Sequence, residues 1–175
     1  LDDLIREAKQ RALAVVMEKK PALDPALMDE IAEAVALGSI KYPMIARETT
    51  KIVTFDWESA LDFNGQSAPY IQYAHVRANS ILRKLGGAGV APTSFTHELQ
   101  PSEINLIELI SRLPEEVGRA ARELKPSLLA TYAYELAKAF NDFYNQCPVL
   151  TAEGATRSAR LAMVEAARIA LNRSL

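Results

Sequence analysis

Between Asp62 and Glu98 the chain carries no carboxylate, and Arg77, Arg83, Lys84, His75 and His97 all fall inside that interval. This is a local zone of positive charge in a chain whose formal net charge is -2. Tyr70 and Tyr73 stand at the start of the helical pattern in the same interval, and aromatic faces beside guanidinium groups are the ordinary means of holding unstacked RNA bases. His75 and Arg77 project differently from the two tyrosines around a helix, but the first turns together present a mixed face. Tyrosine-bearing helix starts pack into cores or interfaces more often than they meet RNA, so the residues alone favour the structural reading at this point. A second candidate surface is the polar run Asn141, Asp142, Tyr144, Asn145, Gln146. Arg157, Arg160 and Arg168 add positive charge further on, at spacings that put them roughly on one side of a helix. Alone, this is a solvated face.

Other chemistries find less to work with. Two histidines, far apart in sequence, do not suggest a zinc site, which wants three or four ligands. The single Cys147 would need a base held beside it to act as a nucleophile, and it sits near a helix end directly before Pro148, where a small buried hydrophobe is the simpler reading. Gly86, Gly87 and Gly89 do not follow a strand, and neither a dinucleotide fingerprint nor a P-loop occurs. Met17, Met28, Met44 and Met163 sit on apolar stripes and read as core filler.

The elements that must position these residues are helices. Hydrophobic residues make up 49% and charged residues 24% of 175 residues, the usage of a globular chain with enough length for one real core and too little for a large multidomain enzyme. Apolar residues recur every three to four positions nearly throughout, which predicts an all-α fold, a helical bundle. A first helix runs from Leu1 to about Lys20, with Leu4, Ile5, Ala8, Ala12, Val15 and Val16 at helical spacing and Pro21 as its stop. Asp24 and Pro25 open a second, with Leu27, Ile31 and Val35 on one side, expected to end near Leu37 before Gly38. Lys51 to Asp56 is the one plausible extended piece, and a loop is expected at Asn64 to Ser67. Pro69 begins a helix that continues to the glycine-rich segment, the one obvious linker. Pro101, Pro114 and Pro126 each read as first-turn prolines of successive helices, the last burying Leu129, Tyr132, Leu136, Phe140 and Phe143 on one stripe. A final helix starts near Ala155. No apolar run approaches the roughly 20 residues that span a bilayer, and one cysteine points to a reducing compartment, so a cytoplasmic, soluble chain is expected. A start at Leu1, Asp2, Asp3 and a last residue still in helical pattern read as a piece of something longer.

Several strings are more particular. Ile40, Lys41, Tyr42 and then TFDWESALDFNGQSAPYIQYAHVRANSILRK, Thr54 to Lys84, resemble the region after the signature lysine loop of arginyl-tRNA synthetases. Phe55 to Trp57, the Phe-Asn-Gly loop and APYIQYAHVR at Ala68 to Arg77 carry most of that resemblance. HELQPSEINLIELISRLPEEV at His97 to Val117 and FNDFYNQCPVL at Phe140 to Leu150 are similar to the helical anticodon-binding domain of the same enzymes, and Arg160 to Leu171 looks like its penultimate segment. The resemblance covers essentially the whole chain, and LDDLIREA is similar to the segment just past the second catalytic signature.

The resemblance implies a connecting helical segment over residues 1–63 and an anticodon-binding bundle over 64–175, recognising the anticodon stem-loop of tRNA(Arg) for arginine-tRNA ligase. It implies ATP and Mg²⁺ as cofactors of the full-length enzyme and none for this piece, with the catalytic domain as a partner in cis and neither DNA nor membrane as partners. Neither the His-Ile-Gly-His-like nor the Lys-Met-Ser-Lys-Ser-like signature occurs here, so the piece alone should not activate arginine, and no catalytic or metal-ligating residue is expected in it. Carried over position by position, the tRNA-binding residues are Asn64, Gln66, Tyr70, Tyr73, His75, Arg77, Arg83 and Tyr144. Tyr144 matches a tyrosine near the anticodon, while Pro148 stands where some members have a large aromatic. Two other classes compete: a non-catalytic RNA- or protein-binding module derived from a synthetase, and a helical enzyme built around Cys147.

Overall fold

The structure, a computed structural model, describes residues 2–47, 54–84 and 95–174. Those residues form eight helices and no strand: α1 (Asp2–Lys19), α2 (Pro25–Ile45), α3 (Trp57–Ala60), α4 (Ala68–Lys84), α5 (Pro101–Ser111), α6 (Leu113–Glu123), α7 (Pro126–Gln146) and α8 (Gly154–Ser174). The chain divides inside α4 into two compact units, Leu1–Gln72 and Tyr73–Leu175. Of the expected extended piece, residues 51–53 lie outside the described residues and 54–56 take no regular structure. The glycine-rich linker also lies outside them.

In the first unit α1 and α2 form a hairpin whose seam is made of alanines. Ala8 and Ala12 face Ala32 and Ala36, with Ile40 at one end, and Phe55, Trp57 and Leu61 pack against this cluster. Small side chains let two helix backbones approach closely, and this shifts the buried stripe of α2 by one residue from the expected one. Met28, Ala32, Ala36 and Ile40 are buried, whereas Leu27 is left 44% exposed. Asp24 caps α2 as its spacing predicts, accepting from the backbone N–H groups of Ala26 and Leu27 at 2.9 and 3.3 Å. Gly38, however, does not end the helix. A Cβ there would stand 2.9 Å from Gln72 Nε2 and 3.1 Å from Ala68 Cβ. The glycine makes room for the first turn of α4, whose Gln72 side chain donates to the Ala34 carbonyl at 3.0 Å. The expectation of a methionine core holds for Met28 and Met163, while Met17 and Met44 are 54% and 48% exposed.

The second unit is organised around α7, which packs against α5, α6 and α8. Pro101, Pro114 and Pro126 occupy the first turns of α5, α6 and α7, where a missing N–H costs nothing. The expected stripe of α7 is buried at Tyr132, Leu136, Phe140 and Phe143, together with Ala130, Ala133 and Ala137, whereas Leu129, nearer the start of the helix, is only half-buried. Cys147 is fully buried, its Sγ 3.4 Å from Ser102 Oγ, which removes the reading of an exposed nucleophile.

Tyr132 is the largest polar group in this core. It is 2% exposed and its hydroxyl donates to the Leu109 carbonyl at 2.9 Å. Burial pushes its pKa up to about 12 from the ordinary 10.0. A raised folded-state pKa means the stabilisation is complete below the unfolded value and disappears as pH climbs from 10.0 towards about 12. Tyr132→Phe should therefore cost about 1 kcal/mol at neutral pH for the lost hydrogen bond. It should also flatten the loss of stability above pH 10, as followed by denaturant titrations at a series of alkaline pH values.

Candidate nucleic-acid interface

The site is built from two helices of the second unit. On α4, Tyr73 and Arg77 are four residues apart and therefore neighbours on the helix surface. On α7, Asn141 and Tyr144 are three apart in its last two turns. The Arg77 guanidinium lies over the Tyr73 ring and over the Tyr144 ring, its Cζ 4.7 Å from each centroid. Its Nη1 donates to Asn141 Oδ1 at 2.5 Å. The two surfaces that the sequence presents separately, the tyrosine-bearing start of α4 and the polar end of α7, thus meet at one guanidinium. Tyr73 is 48% and Tyr144 38% exposed, whereas Asn141 is 8% exposed. The rings face solvent and the residue that fixes the arginine is buried beneath them.

Each contact of this kind contributes about 0.5–1 kcal/mol at an exposed position. The arrangement holds a cation still before any ligand arrives, which reduces the ordering cost of binding. The Nε and Nη2 hydrogens of Arg77 take no hydrogen bond among the described residues, so that edge of the guanidinium stays open.

The end of α7 is held by a buried ionic network that sequence reasoning missed. Glu103, on α5, is fully buried. Its Oε1 accepts from Arg160 Nε at 2.9 Å and lies 3.1 Å from His97 Nε2, and its Oε2 accepts the Gln100 backbone N–H at 2.8 Å. Arg160 Nη1 in turn donates to the Pro148 carbonyl at 2.8 Å. A clamp thus runs from the start of α5 through α8 to the residue after α7's cap, one turn beyond Tyr144. Burial pushes the Glu103 carboxyl upward, but the Gln100 amide, Arg160 and His97 outweigh it and leave its pKa below the ordinary 4.5.

Of Arg157, Arg160 and Arg168, read from the sequence as adding positive charge to a solvated face, two are already paired in the structure. Arg160 is committed to Glu103 and Pro148, and Arg168 donates to Glu165 at 2.7 and 2.9 Å. His75 also adds no charge to the zone at neutral pH. It is half-buried, with Asn79 Nδ2 3.4 Å from its ring nitrogens. Burial first, and then the nearby charge of Arg168, hold it below its ordinary 6.5. Arg83 is exposed in the last turn of α4 beside Lys84.

The remaining sequence-derived residues belong to the first unit. Asn64 is exposed, and its backbone N–H donates to Asp62 Oδ1 at 2.8 Å in a tight Asx turn. Ser67, buried, donates its hydroxyl to the Asp62 carbonyl and accepts the Tyr70 N–H at 3.2 Å, which fixes the entry to α4. Tyr70 is half-buried in that first turn. Gln66 is exposed and lines a small cleft with Tyr42, Arg47 and Ser59.

Residues 71–175 match the family described as DALR anticodon binding domain. Among similar proteins, the arginine–tRNA ligase of Pyrococcus abyssi is 46% identical over 179 residues, covering 100% of this chain and 28% of the relative. That of Methanocorpusculum labreanum is 44% identical over 174 residues, covering 99% of this chain and 31% of the relative. The solved Thermus thermophilus arginyl-tRNA synthetase superposes with a TM-score of 0.91 at 39% identity, over 99% of this chain and 30% of that one. The Plasmodium falciparum enzyme shares the fold with a TM-score of 0.85 at 24% identity, over 99% of this chain and 31% of that one. The chain spans about three tenths of the length of these relatives.

Proposed function

We propose, for a chain that belongs to the DALR anticodon binding domain family, that Tyr73, Arg77 and Tyr144 grip the anticodon loop of tRNA(Arg) as the recognition part of an arginine–tRNA ligase. The observation that carries this reading is the single guanidinium over two solvent-facing tyrosine rings, with Tyr73 and Arg77 inside a stretch without carboxylates. Loop bases have free faces and free edges, and rings with an adjacent planar cation suit both. Arg83 and Lys84 supply charge for the backbone, and Asn64, Gln66 and Tyr70 offer further polar contacts in the stretch that opens the binding portion at 64–175. Residues 1–63 serve as the connection.

The chemical step is assigned to another part of the ligase. The 175 residues hold neither adenylation signature, and among the described residues no group of three or more Asp, Glu, His or Cys is placed to hold a metal ion. ATP, Mg²⁺ and arginine are assigned in this reading to the longer ligases that the chain resembles. Holding the anticodon loop contributes by orientation: binding energy realised far from the reacting centre helps to place the acceptor end. No helix among the described residues is long and apolar enough to cross a membrane.

Filter-binding titrations of this chain with tRNA(Arg) and with the same transcript carrying a substituted anticodon, each at two salt concentrations, test the reading. The cognate transcript should bind at least tenfold tighter, within the range of about 1–3 kcal/mol per specific base contact. Affinity for both should fall steeply with salt as phosphate contacts are screened. Equal affinity for the two transcripts, or binding indifferent to salt, would overturn it.

A further inference from the structure

Arg77 has five N–H donors, and only Nη1 is committed within the described residues, to Asn141 Oδ1. Nη1 lies on the side of the guanidinium away from the Nε–H, so a bond at Nη1 leaves the Nε and Nη2 hydrogens parallel on one free edge. That edge is the two-pronged fork that matches a pair of coplanar acceptors. The two ring contacts limit tilting of the guanidinium plane, but a stack alone leaves it room to turn within that plane as the side-chain torsions adjust. The hydrogen bond from Nη1 to Asn141 removes that freedom. Asn141 is suited to the task because it is 8% exposed and sits on α7 between Phe140 and Phe143, both fully buried, so its own position is set by the core.

We propose that Asn141 is a positioning residue: through Nη1 it aims the Nε and Nη2 edge of Arg77 at an RNA group with two adjacent acceptors. This rests on the reading of the site as an anticodon-loop interface and adds to it which edge of the arginine reads and what holds it there. Two groups in a tRNA loop have the required chemistry, a base edge with neighbouring acceptors and a phosphate with two free oxygens.

Asn141→Leu removes the acceptor at nearly constant volume, and Asn141→Asp keeps it. Both are compared with the unaltered chain in filter binding to tRNA(Arg) and the anticodon-substituted transcript across a salt series, with thermal unfolding in parallel. If the fork reads a base, Asn141→Leu lowers the preference for the cognate anticodon about tenfold with an unchanged salt slope. If it holds a phosphate, Asn141→Leu weakens both transcripts alike and reduces the salt slope by about 1. If the fork reads a base, Asn141→Asp keeps the preference within about twofold of the unaltered chain; if it holds a phosphate, the added carboxylate partly neutralises Arg77 and Asn141→Asp lowers the salt slope as well. The inference is overturned if Asn141→Leu, folded, matches the unaltered chain in both preference and slope, or, where the cognate preference falls, if Asn141→Asp loses as much of it as Asn141→Leu. An unaltered chain that fails to distinguish the transcripts sinks the underlying reading instead, and that measurement comes first.

Discussion

Glu103→Ala should lower the unfolding free energy of the Tyr73–Leu175 unit by about 3–5 kcal/mol, the range for removing one partner of a buried ion pair. The carboxylate is fully buried and serves three donors, the Arg160 guanidinium, the His97 ring and the Gln100 amide. Its loss leaves Arg160, 13% exposed in the structure, with only the Pro148 carbonyl as partner among the described residues and leaves the first turn of α5 without its capping acceptor. Glu103→Gln keeps one acceptor oxygen and should cost roughly half as much, since charged hydrogen bonds contribute about twice what neutral ones do. Replacing both partners, Glu103→Leu with Arg160→Met, should recover much of the loss, because no buried charge is then left alone. Urea titrations at pH 7 followed by circular dichroism order the four proteins. A double variant no better than Glu103→Ala would mean that the hydrogen bonds from Gln100 and to Pro148 hold this corner, and not the charge pair. The pH dependence gives a second check. A carboxyl held below its ordinary 4.5 stabilises fully above that value and loses its contribution as pH falls through the folded-state pKa. The unaltered chain should therefore lose stability on acidification below about pH 4.5, and Glu103→Gln should show a flatter profile over the same window.

What could be read from the sequence is what local chemistry determines. Asp24 before Pro25, and Pro101, Pro114 and Pro126 at helix starts, act within a turn of themselves, so the helix beginnings and the all-α class are visible without a structure. The stripe on α7 arises from a single period. Gly38 looks like a stop because glycine usually breaks helices, but its role depends on Ala68 and Gln72, about thirty residues away, which no local rule sees. The same holds for Arg160 on α8: helical spacing places it on a face, and only the packed bundle shows that Glu103 already holds it, whereas the partner of Arg168, Glu165, is three residues away and within reach of the local pairing rule. The site itself was half legible. Tyr73 with Arg77 is a four-residue pair, whereas their meeting with Asn141 and Tyr144 joins positions 64 apart.

That meeting carries the largest expected effect on binding. Arg77→Ala should weaken tRNA(Arg) binding by one to two orders of magnitude, the scale of about 1–3 kcal/mol that a specific arginine contact supplies. Part of the loss is indirect, since without the cation the Tyr73 and Tyr144 rings lose the group that holds them in place, and base stacking on a mobile ring carries an ordering cost. Stability should fall by less, about 1–2 kcal/mol, mostly from leaving the buried Asn141 carbonyl without a donor. Arg77→Lys separates charge from shape. An ammonium keeps the positive charge but has no planar fork and stacks poorly on rings. It should therefore restore the salt dependence and the affinity for the anticodon-substituted transcript while leaving the cognate preference near that of Arg77→Ala. Tyr73→Phe keeps the ring and should bind within about twofold of the unaltered chain, whereas Tyr73→Ala, at a 48% exposed position, should lose about tenfold with little change in thermal midpoint. If Arg77→Lys restores the preference in full, the site responds to charge alone, and the guanidinium over two rings is a feature of packing without a part in recognition.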